Sequence, residues 1–413
     1  MDFREEPELV QFRQEARAWL EANRPTDRGA TRTGSSLSDA HSEAELAHVE
    51  RCKAWQRTLY DAGWAGITWP QAYGGRGGTG MQQAIFAEEE AKVGAPQGIF
   101  AVGIGMAGPT LIAHGTDEQK QRHLGPTLRG DEVWCQLFSE PGAGSDLAGL
   151  STRAELDGDE FVVNGQKVWT SGAHYSDFGI LLARTNPDAP KHRGISYLLL
   201  DMRTPGVEVR PLRQITGAAH FNEVFLTDVR IPADRVVGDV NAGWGVAMTT
   251  LTSERALIGG GRGGRDVFGS LHATAKRHGR TDDPVVRQDL ARAHTHLQLM
   301  SYLGMRARTA VSQGKPPGPE VSVMKLAHSQ NSAMYANLAL ALEGSWGMLA
   351  RGDEDIEAWH ENFLGHWAGR IGGGTDQVQR NVLGERVLGL PGDIRVDKDL
   401  PFREVSRAAG GTR

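Results

Sequence analysis

Apolar positions in the first third of the chain recur at helical spacing. Leu9, Phe12, Ala16, Trp19 and Leu20 fall three and four residues apart, and Glu88 to Glu90 lie opposite Ile85 and Phe86, so residues 1–130 predict a helical region. The polar stretch from Pro25 to Glu43 predicts a loop within it. Near Val133 the period changes. The runs VWCQLF, STRAEL, EFVVN, KVWTS, GILLAR, SYLLLD, VEVR and EVFL predict short strands between 131 and 238, and so many in close succession predict a compact β-barrel or sandwich. Asp157-Gly158 and Asn164-Gly165 predict tight hairpins, because a two-residue type I′ turn needs positive φ and these dipeptides tolerate it. After Ile231-Pro232 the helical period returns over 239–413, with breaks at Thr281 to Pro284 and at Gln313 to Pro319. Helices, then strands, then helices make an α+β chain rather than an alternating βαβ one.

Charge narrows the partners. The 413 residues carry 45 basic and 51 acidic side chains, a formal charge of −6, and only 23% are charged, which argues against nucleic acid as a ligand and against a disordered tail. The two cysteines, Cys52 and Cys135, are too few and too far apart for a disulfide framework or a zinc cage, so no metal is expected. MDFREEPELVQFRQ is acidic and amphipathic, whereas a secretory signal needs a positive stretch and then an apolar one. No run reaches the ~18 apolar residues of a membrane span, and the expectation is a soluble cytoplasmic protein without a membrane partner.

Glycine is the outlier, at 53 residues. Ordinary usage is about 7%, and this chain has nearly twice that. Three windows match G-x-G-x-x-G, at Gly75-Gly77-Gly80, Gly103-Gly105-Gly108 and Gly259-Gly261-Gly264. A dinucleotide fingerprint must follow a strand, open a helix and have an acid about 20 residues on. The first window lies in a loop, the second runs at once into Pro109 and lacks the acid, and the third continues a helix. No nicotinamide site is expected.

The segment Gln136-Leu-Phe-Ser-Glu-Pro-Gly-Ala-Gly-Ser-Asp146 is followed by DGDEFVVNGQKVWTSG, VFLTDVRIPADRVVG and GGTDQVQRNVLGERVLGLP, and is preceded by Tyr73-Gly74-Gly75. In content and order, over nearly the whole chain, these resemble the acyl-CoA dehydrogenase family. The resemblance implies an α+β fold with an N-terminal helical domain (1–130), a middle β-barrel domain (131–238) and a C-terminal four-helix bundle (239–413). It also implies FAD, oxidation of an acyl-CoA thioester to the trans-2-enoyl-CoA in fatty-acid or lipid degradation, and an electron-transfer flavoprotein as acceptor. The chemistry agrees: breaking both a Cα–H and a Cβ–H bond needs a base and a hydride acceptor, and side chains supply only the base. On the family pattern Phe138 and Ser139 face the polar end of the isoalloxazine. Trp169, Thr170 and Ser171 shield the flavin and reach its N5 region, Gly374, Thr375 and Gln377 contact the cofactor, and Ser145 contacts the CoA moiety.

The usual base is missing. Many members place a glutamate directly before the Gly-Thr of the last motif, where this chain has Gly373. A second branch, including isovaleryl- and long-chain-type enzymes, carries it on the first helix of the C-terminal domain, and Glu254 in GWGVAMTTLTSERALIGGG matches that position. Its neighbours three and four residues away are Thr250, Leu251, Leu257 and Ile258, a mostly apolar stripe on which desolvation strengthens a carboxylate as a base. Arg255 points about 100° away on a helix and is assigned to the CoA side or a domain contact.

Two departures touch the adenine side. AKRHGRTDDPVVRQ lacks the Arg-x-x-Phe-Gly that members use across a subunit boundary, and ALEGSWG replaces a glutamine- and glycine-rich contact. This resembles the actinobacterial branch and implies a homotetramer or a heterotetramer. Two alternatives stay open: a non-catalytic or half-site subunit of a heteromeric dehydrogenase, and a flavin monooxygenase of the same fold, which needs no α-proton base. Gly103, Gly105 and Gly108, with Gly259 to Gly261, suggest room for a branched or bulky acyl group.

Overall fold

The computed structural model describes residues 6–25, 43–96, 98–259, 266–312, 318, 320–349, 354–392, 394 and 397–408. Five helices precede the strands among these residues: α1 (Pro7–Ala22), α2 (Glu43–Asp61), α3 (Gly80–Val93), α4 (Gly108–His114) and α5 (Asp117–Arg129). Seven strands follow: β1 (Trp134–Leu137), β2 (Arg153–Asp157), β3 (Glu160–Ser171), β4 (Phe178–Arg184), β5 (Ile195–Asp201), β6 (Val207–Leu212) and β7 (Phe221–Pro232). Then come α6 (Gly243–Gly259), α7 (Val267–Arg277), α8 (Pro284–Ser312), α9 (Glu320–Glu343), α10 (Glu354–Ile371), α11 (Asp376–Val382) and α12 (Phe402–Ala408). The predicted breaks fall between α7 and α8 and between α8 and α9. The predicted Pro25 to Glu43 loop lies mostly outside the described residues.

The chain folds into two interleaved units. One comprises residues 1–37, 79–95 and 255–392, and the other 38–78, 96–254 and 393–413. In the first, α1 lies against α3 through Arg13 and Arg17, both bonded to the buried Glu89 carboxylate at 2.8 and 2.9 Å. Helices α7 to α10 close the four-helix bundle around Leu271, Ala275, Leu290, Ala293, Ala339, Leu342 and Trp359. In the second unit, a capping box starts α5, with Thr116 and Gln119 each bonding the other's backbone N–H. The strands form one sheet in the order β1-β4-β2-β3-β7-β6, with β5 paired to β4. Its core is lined by Leu137, Phe161, Val163, Leu181, Leu198, Leu200, Val224 and Leu226.

One expected hairpin forms and one does not. β2 and β3 pair through Asp157↔Glu160, leaving Gly158 and Asp159 as the turn, with Gly158 at φ +66°. Asn164-Gly165 instead lies inside β3, so EFVVN and KVWTS are a single strand. The register against β7 shifts between Val163 and Gly165, a β-bulge. The Asn164 side chain donates to Asp228 Oδ1 and accepts from Asp228 N–H, both at 3.0 Å, so it binds the neighbouring strand rather than closing a turn. A Cβ at Gly165 would fall 2.3 Å from Thr152 Oγ1, so glycine is kept here for close packing.

Beneath the bulged strand lies a charge removed from water. Lys167 is fully buried, and its Nζ donates to Glu140 Oε1 at 2.8 Å and to the Phe138 carbonyl at 3.1 Å. Glu140 also accepts from Ser151 N–H, Ser151 Oγ and Thr152 N–H at 2.7, 2.9 and 2.9 Å. Burial alone would raise this carboxyl, but the Lys167 charge and these hydrogen bonds outweigh it and hold it down at about 2, against an ordinary 4.5. Because the folded value lies below the unfolded one, the stabilisation is complete above about pH 4.5 and fades as the pH falls toward 2. Glu140→Gln is expected to lower unfolding stability at neutral pH by about 3–5 kcal/mol, since it leaves a buried ammonium without its counter-charge. Urea titrations between about pH 3 and 7 check this: the wild type should weaken toward acid more steeply than the variant, and parallel curves would contradict the assignment.

Candidate active site

In the strand-bearing unit the motif residues collect around the ends of β1 and β3. Just past β1, the Ser139 carbonyl accepts from Val168 N–H at 2.9 Å, which brings the second half of β3 alongside Phe138–Glu140. A second register shift, between Lys167 and Thr170, throws Trp169 out of the ladder at φ +62°. Its indole is 58% exposed, although a tryptophan in a strand normally buries its ring. Phe221 meets it edge-on at 5.9 Å. Ser171 shares this exposed side, two residues along. Thr170 alternates inward and is fully buried, with no partner for its hydroxyl among the described residues, while its carbonyl accepts from Asn222 Nδ2 at 3.0 Å.

The other predicted contacts differ in what they offer. The Phe138 ring is buried edge-on against Tyr197 at 6.0 Å, and its carbonyl is taken by Lys167, whereas Ser139 is half-buried. Ser145 is exposed, next to Asp146, which is fixed by Lys191 at 2.9 Å.

Glu254 belongs to the same unit. It is half-buried on α6, and Gln136 Nε2, from β1, donates to its Oε2 at 3.3 Å. One turn earlier, Thr250 is fully buried and hydrogen-bonded to Thr110 at 2.8 Å and to the Tyr197 hydroxyl at 3.1 Å. Thr249 bonds His114 Nε2 at 2.8 Å. The helix is thus located by hydroxyl contacts to α4 and β5. Leu251 is half-buried, and the side chains of Arg255, Leu257 and Ile258 lie outside the described residues. Gln136 and Lys167 were not singled out from the sequence. The signal was a polar side chain in an otherwise apolar run, Gln136 in WCQL and Lys167 next to VW.

The other unit holds the glycine turn. Gly373 and Gly374 have φ of +63° and +85°, and Thr375 caps α11 by accepting from Val378 N–H at 3.1 Å. Lys325, buried on α9, donates to the Gly374 carbonyl at 2.6 Å, and Gln379 donates to the Gly373 carbonyl at 3.1 Å. Burial opposes ionisation of Asp376, but hydrogen bonds from Ser329 and Arg370 outweigh it and hold the carboxyl below its ordinary range. Gln377 is exposed and Thr375 half-buried. A glutamate in place of Gly373 would have to adopt a left-handed backbone.

Comparison with known proteins agrees with the helix–strand–helix order. Family models described as the acyl-CoA dehydrogenase N-terminal, middle and C-terminal domains match residues 6–131, 135–229 and 241–388. The chain belongs to the acyl-CoA dehydrogenase family. Members of this family are flavoprotein oxidoreductases of lipid and steroid degradation. The chain is 42% identical over 394 residues to acyl-CoA dehydrogenase IpdE1 of Mycobacterium tuberculosis, covering 94% of this chain and 99% of the relative. Among solved structures it is similar to the Tcur3481-Tcur3483 steroid ACAD, with a TM-score of 0.81 and 31% identity, covering 95% of this chain and 100% of that one. It is also similar to the ChsE4-ChsE5 complex of Mycobacterium tuberculosis, with a TM-score of 0.76 and 30% identity, covering 95% and 100%.

Against the family pattern, the two adenine-side departures contact each other. His278 Nε2 lies 2.7 Å from Glu343 Oε2, Arg277 lies 4.0 Å from Glu343 Oε1, and Arg280 donates to the Ala341 carbonyl at 2.8 Å. A buried carboxylate, Glu343, thus stands in the ALEGSWG segment of this dehydrogenase.

Two of the glycines proposed to leave acyl room, Gly103 and Gly108, serve packing instead. A Cβ at Gly108 would fall 2.0 Å from the Trp69 ring, and one at Gly103 would fall 3.0 Å from Thr127 and 3.1 Å from Trp134. Gly103 also opens a five-residue π-helical turn, Gly103–Ala107, that leads into α4. Gly260 and Gly261 lie outside the described residues. Gly108→Ala is expected to destabilise the protein by about 2 kcal/mol, because the rigid indole must move. Denaturant unfolding should show a lower midpoint with an unchanged slope; a midpoint equal to that of the wild type would show that Trp69 yields freely.

Proposed function

We propose that this acyl-CoA dehydrogenase removes the α-proton and β-hydride of an acyl-CoA thioester to give the trans-2-enoyl-CoA, with Glu254 as the base. The observation that carries this reading is the position of Glu254: its carboxylate is hydrogen-bonded to Gln136, on the strand that runs directly into Phe138 and Ser139. A flavin monooxygenase of the same fold has no use for a carboxylate held there.

The residues present fit the flavin end of FAD. Trp169 and Ser171 are exposed on one side of a bulged strand, Ser139 is half-buried beside them in the chain pairing, and the Gly372–Thr375 turn has its carbonyls occupied by Lys325 and Gln379. Ser139, Trp169 and Ser171 would hold the flavin end, and Thr375 and Gln377, in the other unit, are assigned to the cofactor from the family pattern alone. When bound, FAD supplies the acceptor for the β-hydride. The protein's own part is to orient the thioester, exclude water with the Trp169 face and take the α-proton on a Glu254 oxygen, leaving that carboxyl neutral. Ser145, exposed in its loop, and Arg255 are assigned to the CoA moiety.

The assembly reading is a heteromer. Its support is that Arg277 and His278, in the segment that lacks Arg-x-x-Phe-Gly, are engaged by Glu343 and so are turned away from a cofactor diphosphate. A partner chain of the same family would supply that half of the cradle, and reducing equivalents would pass to an electron-transfer flavoprotein. The similarity to the ChsE4-ChsE5 complex and to a steroid ACAD favours a bulky or steroid-derived acyl group.

Glu254→Gln is expected to reduce turnover of acyl-CoA about 10²–10⁴-fold while leaving flavin content intact, since loss of a general base costs that much. Reduction of an artificial electron acceptor by the flavin-loaded assembly measures it, across straight, branched and steroid side-chain thioesters. Full activity in the variant would overturn the base assignment.

A further inference from the structure

We propose that the C-terminal segment 397–408 is a positioning element for the CoA moiety, bracing the loop that carries Ser145 through two side chains, Lys191 and Arg184. The inference rests on the assignment of Ser145 to CoA. The C-terminal family model stops at residue 388, and residues 393–413 group with the strand-bearing unit rather than with the helices before them. Within that unit the segment lies along the loop between β4 and β5. Phe402 N–H donates to the Ala189 carbonyl at 2.9 Å, and Arg403 N–H donates to the Pro187 carbonyl at 3.1 Å. Pro401 pairs antiparallel with Pro190, and the Arg403 guanidinium meets Asp188 at 2.8 Å.

Two bridges lead from the segment to the Ser145 loop. Lys191 Nζ donates to Asp397 Oδ2 at 2.8 Å and to Asp146 Oδ2 at 2.9 Å, so one ammonium links the segment to the residue directly after Ser145. The Lys191 side chain is only 12% exposed, whereas Asp146 faces water. Arg184, the last residue of β4, makes the second bridge. Its guanidinium lies 3.8 Å over the Phe402 ring and donates to the carbonyls of Ala148 and Leu150 at 2.6 and 3.2 Å, and to that of Lys191 at 2.6 Å. The loop is therefore held at Asp146, Ala148 and Leu150 by two cations that are themselves seated on the C-terminal segment. An ion pair to an exposed carboxylate adds little to stability, but a loop already fixed loses less freedom when a ligand binds, so the gain appears as affinity. Ser145 itself stays exposed.

The test uses flavin-loaded enzyme in its native assembly, with flavin absorbance and thermal unfolding as folding controls. Asp397→Asn removes the charge at the first bridge, Phe402→Leu removes the ring beneath Arg184 while staying apolar, and Asp397→Glu keeps the charge. The readouts are the Kd of free CoA by calorimetry, and kcat and KM for one acyl group carried either on CoA or on N-acetylcysteamine, which lacks most of the CoA moiety. Combining Asp397→Asn with Phe402→Leu should raise the Kd of CoA and the KM of acyl-CoA roughly tenfold and leave kcat within about twofold, because binding common to ground and transition states is what is lost. Turnover of the N-acetylcysteamine thioester should stay as in the wild type, and Asp397→Glu should bind CoA as the wild type does. Where the double variant does not fold, each single variant carries the same comparison with about a threefold change, since separate sites add. Folded variants with wild-type Kd and KM, or an equal loss with both thioesters, would overturn the proposal. Ser145→Asp separates that outcome from failure of the underlying assignment. If it weakens CoA binding while the other variants do not, Ser145 keeps its role and only the bracing falls; if it leaves CoA binding unchanged, the assignment falls and this proposal with it.

Discussion

A cation buried in a β-sheet must meet an anion, and in this protein Lys167 meets Glu140. The whole strand-borne half of the site depends on that requirement. Lys167 is two residues before Trp169, and Glu140 directly follows Ser139, so a single ion pair fixes both motif segments relative to each other. The remaining lone pairs of Glu140 are filled by Ser151 and Thr152, which tie down the far end of the loop that carries Ser145. A hydrophobic pair would pack as well, but it would set neither the direction of the Phe138 carbonyl nor the course of that loop. The pair gives the strand ends a defined register, and this allows Trp169 to sit in a left-handed backbone with its ring outward. Such a conformation persists only where its surroundings determine it.

The helix carrying Glu254 is fixed by different means. Its contacts are hydroxyl to hydroxyl, Thr250 to Thr110 and Tyr197, and they link α6 to a helix before the sheet and to a strand within it. Burial pushes the Tyr197 phenol well above its ordinary range, so it remains a neutral donor throughout the range of enzyme activity. Neutral links of this kind locate the helix without adding charge near the carboxylate. The ion pair of Lys167 and Glu140, on the strand side of the motif, is structural.

Much of this was legible in the sequence, for reasons that can be stated. The helix–strand–helix order followed from the change of hydrophobic period, which is a property of each segment alone. Trp169 and Ser171 were singled out by motif resemblance. What failed depended on partners distant in sequence. Asn164-Gly165 has the local chemistry of a turn, but Asp228 on another strand captures the asparagine and Thr152 requires the glycine. Gly103 and Gly108 read as open space because sequence does not show that Trp134 and Trp69 fill it. Gln136 was passed over because a lone polar residue in an apolar run does not by itself show which distant residue it meets.

Gly373 also bears on how such enzymes diverge. The family has two places for its base, and here one is taken by a residue at φ +63°. An ordinary side chain in that conformation costs about 1–2 kcal/mol of backbone strain. A lineage that has settled into this turn therefore cannot regain the other arrangement by one codon change at no cost. The turn must first relax, and Lys325 and Gln379, which hold its carbonyls, must relax with it. On the proposed assignment of Glu254, the location of the base is a commitment written into the backbone, and relocating it requires several coordinated substitutions rather than one.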